Sequence, residues 1–135
     1  MIRRAGMMMA MLLIGGCMRT PDQQAAIDAR ADARLASAIG DRVAGEPSRC
    51  IDPSLQDGPQ IVAPSTVIYR ENASRVWVST VEGCPSLRAT STLIVDIYGS
   101  NLCRNDRFRT IDPGTTIPGP YCRFGDFTPF DKVGG

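Results

Sequence analysis

Residues 66–81 read Thr-Val-Ile-Tyr-Arg-Glu-Asn-Ala-Ser-Arg-Val-Trp-Val-Ser-Thr-Val, and this stretch decides the fold class. β-Branched and aromatic residues fill Thr66-Val67-Ile68-Tyr69-Arg70, and Glu71-Asn72-Ala73-Ser74 forms a polar turn. The return segment, Arg75 to Val81, alternates with period two: Val76 and Val78 share one face, Arg75 and Ser79 the other. That pattern describes two antiparallel strands, since successive side chains of a strand point to opposite faces.

The same period continues outward. Gly83-Cys84-Pro85-Ser86 breaks the hairpin, and Thr92-Leu93-Ile94-Val95-Asp96-Ile97-Tyr98 is the most apolar strand, expected at the centre of the sheet. Gly99-Ser100-Asn101 turns the chain into a strand at Arg107–Ile111, and Asp112-Pro113-Gly114 with Pro118 and Pro120 makes a long loop. Tyr121–Phe127 is the last strand, with Gly125 placed as a bulge. Cys50-Ile51 and Ile61-Val62 supply a further, broken strand. Five or six short antiparallel strands predict an all-β unit, a small sandwich or partly open barrel, preceded by one N-terminal helix.

The helix is expected between Thr20 and Gly45. Thr20-Pro21-Asp22-Gln23 reads as an N-cap, a proline in the first turn and the glutamine of a capping box. Ile27, Ala31, Leu35, Ile39 and Val43 recur every four residues, and Gly45 and Pro47 are the stop signals, giving about 23 helical residues. One thin apolar stripe makes a weak core face, so the segment reads as a solvated spacer; docking against the sheet or a partner helix is the competing reading.

Length and composition bound the rest. The chain has 135 residues, room for one domain, and a formal net charge of +1. Five cysteines and no histidine are present. Cys50, Cys84, Cys103 and Cys122 are separated by 33, 18 and 18 residues, without the close ligand pairs of a zinc site, so no metal or other cofactor is expected. Two disulfides fit better, and they imply an oxidising compartment. Closing first strand on last pairs Cys50 with Cys122 and Cys84 with Cys103. Hairpin geometry sets Cys84 and Cys103 at opposite ends of a strand, which makes Cys84 with Cys122 the competitor.

The remaining cysteine belongs to the N-terminus. Met1-Ile2-Arg3-Arg4 is a positive start, and Ala5–Ile14 is uncharged and mostly apolar, the plan of a secretory signal peptide. Such a run is half the length needed to cross a bilayer, about 20 residues. Arg3-Arg4 alone lacks the rest of a twin-arginine signal, so the general export route is favoured. Ile14-Gly15-Gly16-Cys17 then resembles the lipobox of bacterial lipoproteins. The resemblance implies cleavage before Cys17, lipidation of its thiol and acylation of its new amine. Met18 in place of an aspartate implies outer-membrane sorting, facing the periplasm. Two or more acyl chains anchor a protein stably where one does so marginally. The expected organisation is a removed leader at 1–16, a lipidated cysteine with helical spacer at 17–46, and a β domain at 47–135. Losing the leader would leave 13 basic against 14 acidic side chains, which argues against nucleic acid as a partner.

The β domain carries a second resemblance. Cys50-Ile51, Glu82-Gly83-Cys84-Pro85-Ser86-Leu87, Leu102-Cys103 with Asp106, and Cys122 before Phe124 and Phe127 are similar to a family of small exported bacterial proteins of unknown function. Cys103-Arg104 departs from the Cys-Ser of many members. The resemblance implies a secreted β domain and no activity.

No catalytic constellation is legible. Nucleophile-plus-base chemistry lacks its histidine, so Ser79, Ser86 and Ser91 read as strand and turn serines. Glu82, Asp96, Asp106 and Asp112 are spread out beside turns, where carboxylates cap backbone N–H groups. Trp77 and Tyr98 with Arg75, Arg107 and Arg109 offer a candidate surface patch, aromatics and arginine being favoured at binding sites. The expectation is a non-enzymatic, membrane-anchored envelope protein that binds a protein or a cell-wall or lipid component. A small carboxylate-dependent enzyme is the alternative.

Overall fold

Helix α1 (Pro21–Ile39) is the first element among the described residues and β1 (Arg42–Ala44) follows it. Then come β2 (Cys50–Ile51), a 3-10 turn at Pro53–Leu55, β3 (Asp57–Ala63), β4 (Thr66–Arg70) and β5 (Arg75–Glu82). The second half holds β6 (Thr92–Val95), β7 (Leu102–Cys103), β8 (Arg107–Ile111) and β9 (Cys122–Lys132). These elements come from a computed structural model that describes residues 19–85 and 87–134. The expected leader, the lipidation site Cys17 and Ser86 lie outside the described residues.

The main sheet runs β3-β4-β5-β9-β8-β6 with every neighbouring pair antiparallel, and β1 adds to β9 beside this path. The chain is therefore mostly β, a nearly closed barrel-like sheet of six strands with one helix at its N-terminal side. Calling it all-β is too strong, because α1 supplies part of the packing.

Both faces of the β4–β5 hairpin are buried, each for its own reason. Val67, Tyr69 and Val81 point into the barrel, where they meet Phe108, Phe124 and Phe127. The aromatic centroids there stand 4.5 to 6.3 Å apart in tilted and edge contacts, the geometry that ring quadrupoles favour. Ile68 and Val76 point outward with Val62 and are covered by Leu35 and Ala38 of α1. Three of these outer side chains would otherwise present apolar surface to water, each worth about 1.5–3 kcal/mol when fully buried.

The helix is thus docked, and the spacer reading is corrected. Its packed face combines small and large side chains: Ala31 is buried, and Ala38 and Leu35 pack against Val62, Ile68 and Val76. The helix begins as expected: Thr20 Oγ1 accepts the Gln23 N–H at 3.3 Å and the Gln23 side-chain oxygen accepts the Thr20 N–H at 3.1 Å. It ends earlier than Gly45. Gly40, at φ 63°, donates its N–H to Ala36 O and stops the helix there. Arg42 then binds three carbonyls, Ile39 O at 2.9 Å, Ser74 O at 3.0 Å and Ala73 O at 2.7 Å, tying the helix end to the β4–β5 turn.

Two further expectations change. The apolar run at 92–98 is not central: β6 ends at Val95 and lies at the sheet edge, with Ile94, Ile97 and Tyr98 exposed. The disulfides are Cys50–Cys103 and Cys84–Cys122, which overturns the pairing of Cys50 with Cys122 and Cys84 with Cys103. Sheet neighbours explain both bonds. Cys50 and Cys103 stand directly opposite in the short β2–β7 ribbon. Cys84 leaves β5 beside the start of β9, where Glu82 faces Arg123 and Cys122 is one residue away.

Strand β9 carries the bulge at the expected glycine. Ser79 opposes Phe127 and Val81 opposes Phe124, so β9 spends two residues, Gly125 and Asp126, against Thr80 alone. The extra residue resets the alternation, and Phe124 and Phe127 both face the core although three positions apart.

Candidate functional site

Strand β8 places its side chains by simple alternation. Phe108 and Thr110 are buried inward, so Arg107 and Arg109 project from the outer face. Tyr121, delivered by the proline-containing loop ahead of β9, lies across them. The guanidinium carbons of Arg107 and Arg109 stand 4.7 and 4.9 Å from its ring centroid, within cation–π range. Arg107 also donates to the Tyr98 hydroxyl at 3.2 Å, which holds its guanidinium still more firmly in the charged form.

Apolar side chains edge this group. Ile94 of β6 pairs in register with Arg109, and Ile97 follows on the way to Tyr98. Tyr98 is 69% exposed and Tyr121 48%, so the rings are held in place yet open to solvent. Ile117, 81% exposed, lies on the loop that carries Tyr121. Tyrosine and arginine side chains held together in this way are among the residue types enriched at contact surfaces.

The structure divides the residues singled out from sequence. Tyr98, Arg107 and Arg109 come together; Trp77 and Arg75 do not join them. Trp77 lies on the hairpin face that turns inward, packs against the barrel core and donates its indole N–H to Glu71 at 2.6 Å. Arg75 sits 5.5 Å over that ring and makes a two-pronged pair with Asp131, at 2.6 and 2.9 Å. The Arg75 guanidinium holds the Asp131 carboxyl below its ordinary value. Tyr121 was missed in sequence: as the first residue of an expected strand it carried no sign that it would lie over β8.

The carboxylates weighed for acid/base work have separate occupations. Asp106 accepts the Cys103 N–H at 2.7 Å, shaping the turn before β8. Asp112 accepts the Ser91 hydroxyl. Asp96 leaves β6, its N–H bonded to Arg107 O. Glu82 lines an open cavity of about 580 Å³ with Asp126, and Asp126 is paired with Arg104 at 3.2 Å. Among the described residues no three His, Cys, Asp or Glu side chains gather as metal ligands would. Ser79 is fully buried, its hydroxyl donating to backbone carbonyls of Thr80 and Gly125. Burial also pushes the Tyr69 phenol well above its ordinary value.

No protein-family model, curated protein or solved structure matches the chain. Among the described residues no helix is long and apolar enough to cross a membrane.

Proposed function

We propose that this chain is an exported, lipid-anchored envelope protein whose β unit binds another envelope protein through the Tyr121 surface. The observation that carries the binding role is the ordered cluster of Arg107, Arg109, Tyr98 and Tyr121 beside exposed Ile94 and Ile97. Arginine side chains lose rotamer freedom on binding, about 0.5–1.5 kcal/mol each, and stacking on Tyr121 has already removed part of that loss. Tyrosine and arginine also supply the residue types most enriched at the centres of protein interfaces. Membrane anchoring is supported by Ile14-Gly15-Gly16-Cys17, and export by the two disulfides, which persist in oxidising compartments. In this reading the anchor faces the periplasm, on the outer membrane.

Two experiments test the proposal separately. Metabolic labelling with palmitate should mark the wild-type chain and spare Cys17→Ser; equal labelling of both, or of neither, refutes the anchor. A photoreactive residue at Tyr98 or Ile117, expressed in cells, should yield one discrete crosslinked protein. The same residue at Gln24 should not, and Tyr121→Ala should abolish the product. Crosslinks that persist in Tyr121→Ala, or that arise equally from Gln24, refute the surface.

A further inference from the structure

A second surface lies between α1 and the segment that follows β5. It is a groove of about 500 Å³ with an apolar floor, including Ile27, Val62, Pro64 and Leu87, and a rim of Arg19, Arg30, Arg34 and Arg88. Among the described residues no carboxylate lines it. The ion pairs among the described residues engage Arg75 and Arg104, and none of these four arginines.

The helix sorts its charges to produce this. Successive residues turn by about 100°, so Arg30 and Arg34 fall on one side of the docked stripe Ile27-Ala31-Leu35-Ala38. Asp28 and Asp32 fall on the other side, where Asp28 accepts from Gln24 at 2.8 Å. Docking therefore turns only the arginine flank toward Arg88. Four like charges around one concavity repel each other, which a bound anion would relieve. Guanidinium groups suit phosphate oxygens, which they meet with paired N–H donors.

We propose that this groove binds the phosphate headgroup of an acidic phospholipid, with the glycerol and upper acyl carbons on the apolar floor. The floor decides between sources of phosphate: a soluble phosphate would use the arginines and leave Ile27, Pro64 and Pro85 wet, whereas an amphiphile uses both. A choline headgroup would bring a cation into the rim and is rejected. Arg19 stands two residues after Cys17, so this placement beside a bilayer rests on the anchoring reading; the chemistry of the groove does not.

The test uses the full chain purified from membranes in nonionic detergent, with arginine side-chain N–H resonances as the readout. Short-chain phosphatidylglycerol should shift the resonances of Arg30, Arg34 and Arg88 saturably, and short-chain phosphatidylcholine should not. Basic residues near an anionic lipid surface contribute roughly five-fold each, so Arg30→Gln, Arg34→Gln and Arg88→Gln together should weaken binding on the order of 100-fold. Arg49→Gln with Arg104→Gln and Arg123→Gln, a matched loss of charge elsewhere, should leave it within about two-fold of wild type. Equal weakening by the two triple variants overturns the assignment to the groove. Inorganic phosphate binding as tightly as phosphatidylglycerol overturns the lipid as its ligand. A purified chain whose mass shows no lipid on Cys17 refutes the anchor alone, because the short-chain titration reads the groove in either case.

Discussion

Gly125→Ala is expected to destabilise the protein by about 1–3 kcal/mol, the usual cost of forcing extra atoms into a packed site. A Cβ built on Gly125 would stand 2.5 Å from Thr80 O and 3.5 Å from Thr80 C, the first a separation that real Cβ atoms essentially never show. Thr80 O is backbone, so no side chain can swing aside; β5 or β9 must move. Both strands are anchored at this point, Ser79 opposite Phe127 on one side of the bulge and Val81 opposite Phe124 on the other. Relaxation therefore disturbs the two phenylalanines that the bulge turns inward. For a unit of this size the cost corresponds to a fall in Tm of roughly 5–20 °C. Gly45→Ala is the control, since its Cβ would meet Pro129 Cγ at 3.1 Å, a ring carbon able to give slightly, and Pro129 O at an ordinary contact distance of 3.7 Å. Thermal and urea unfolding with the disulfides intact measure both variants, and an unchanged urea slope shows that stability changed without a change in the surface exposed on unfolding. A Gly125→Ala variant within about 0.5 kcal/mol of wild type would refute the close approach, as would an equal loss in Gly45→Ala.

Removing Cys50 and Cys103 together, or Cys84 and Cys122 together, should each cost about 4 kcal/mol by the loop-entropy relation at separations of 53 and 38 residues. Denaturant unfolding measures the loss, and a nonreducing digest that links Cys50 to Cys122 would refute the pairing itself. Asp131 gives a pH signature: its folded-state carboxyl is held below the ordinary 3.8 by Arg75, so the stability it contributes is present above that value and lost as pH falls through the folded one. Tm profiles of wild type and Asp131→Asn should converge in acid and separate toward neutral pH, and parallel profiles would refute the contribution.

What was legible in the sequence depended on how local the cause was. The hairpin at 66–81, the Thr20 capping box and the Gly125 bulge are each set by residues within a few positions of one another, and all three form where expected. The misplaced features depend on partners distant in the chain. Leu93, Ile94 and Val95 read as central because a central strand and an edge strand beside an exposed apolar patch have the same composition. Alanine at positions 31 and 38 gave α1 the look of a solvated spacer, although Ala31 is buried and Ala38 packs with Leu35 against Val62, Ile68 and Val76. The cysteine pairing followed from which strands are neighbours, and β5 lies beside β9 across 39 intervening residues with no local mark of it. At the candidate surface, Arg107 and Arg109 were readable from their i, i+2 spacing, but Tyr121 joins them only through the course of a long loop.

The order of the two disulfides along the chain has a consequence for how the protein comes apart. They interleave: Cys50 bonds past Cys84 to Cys103, and Cys84 bonds past Cys103 to Cys122. Three stretches of backbone separate the four cysteines. Cleave any two of those stretches once each, and every cysteine-bearing piece is still joined to the others in one covalent molecule. A nested arrangement would behave differently, since cuts in the first and third stretches would free the middle piece. Cleavage at three places is needed before the half-cystines part into two sets. Single cuts in these stretches therefore accumulate as nicks within one covalent body, and the cysteine-bearing pieces part only after the bonds are reduced or all three stretches are cut.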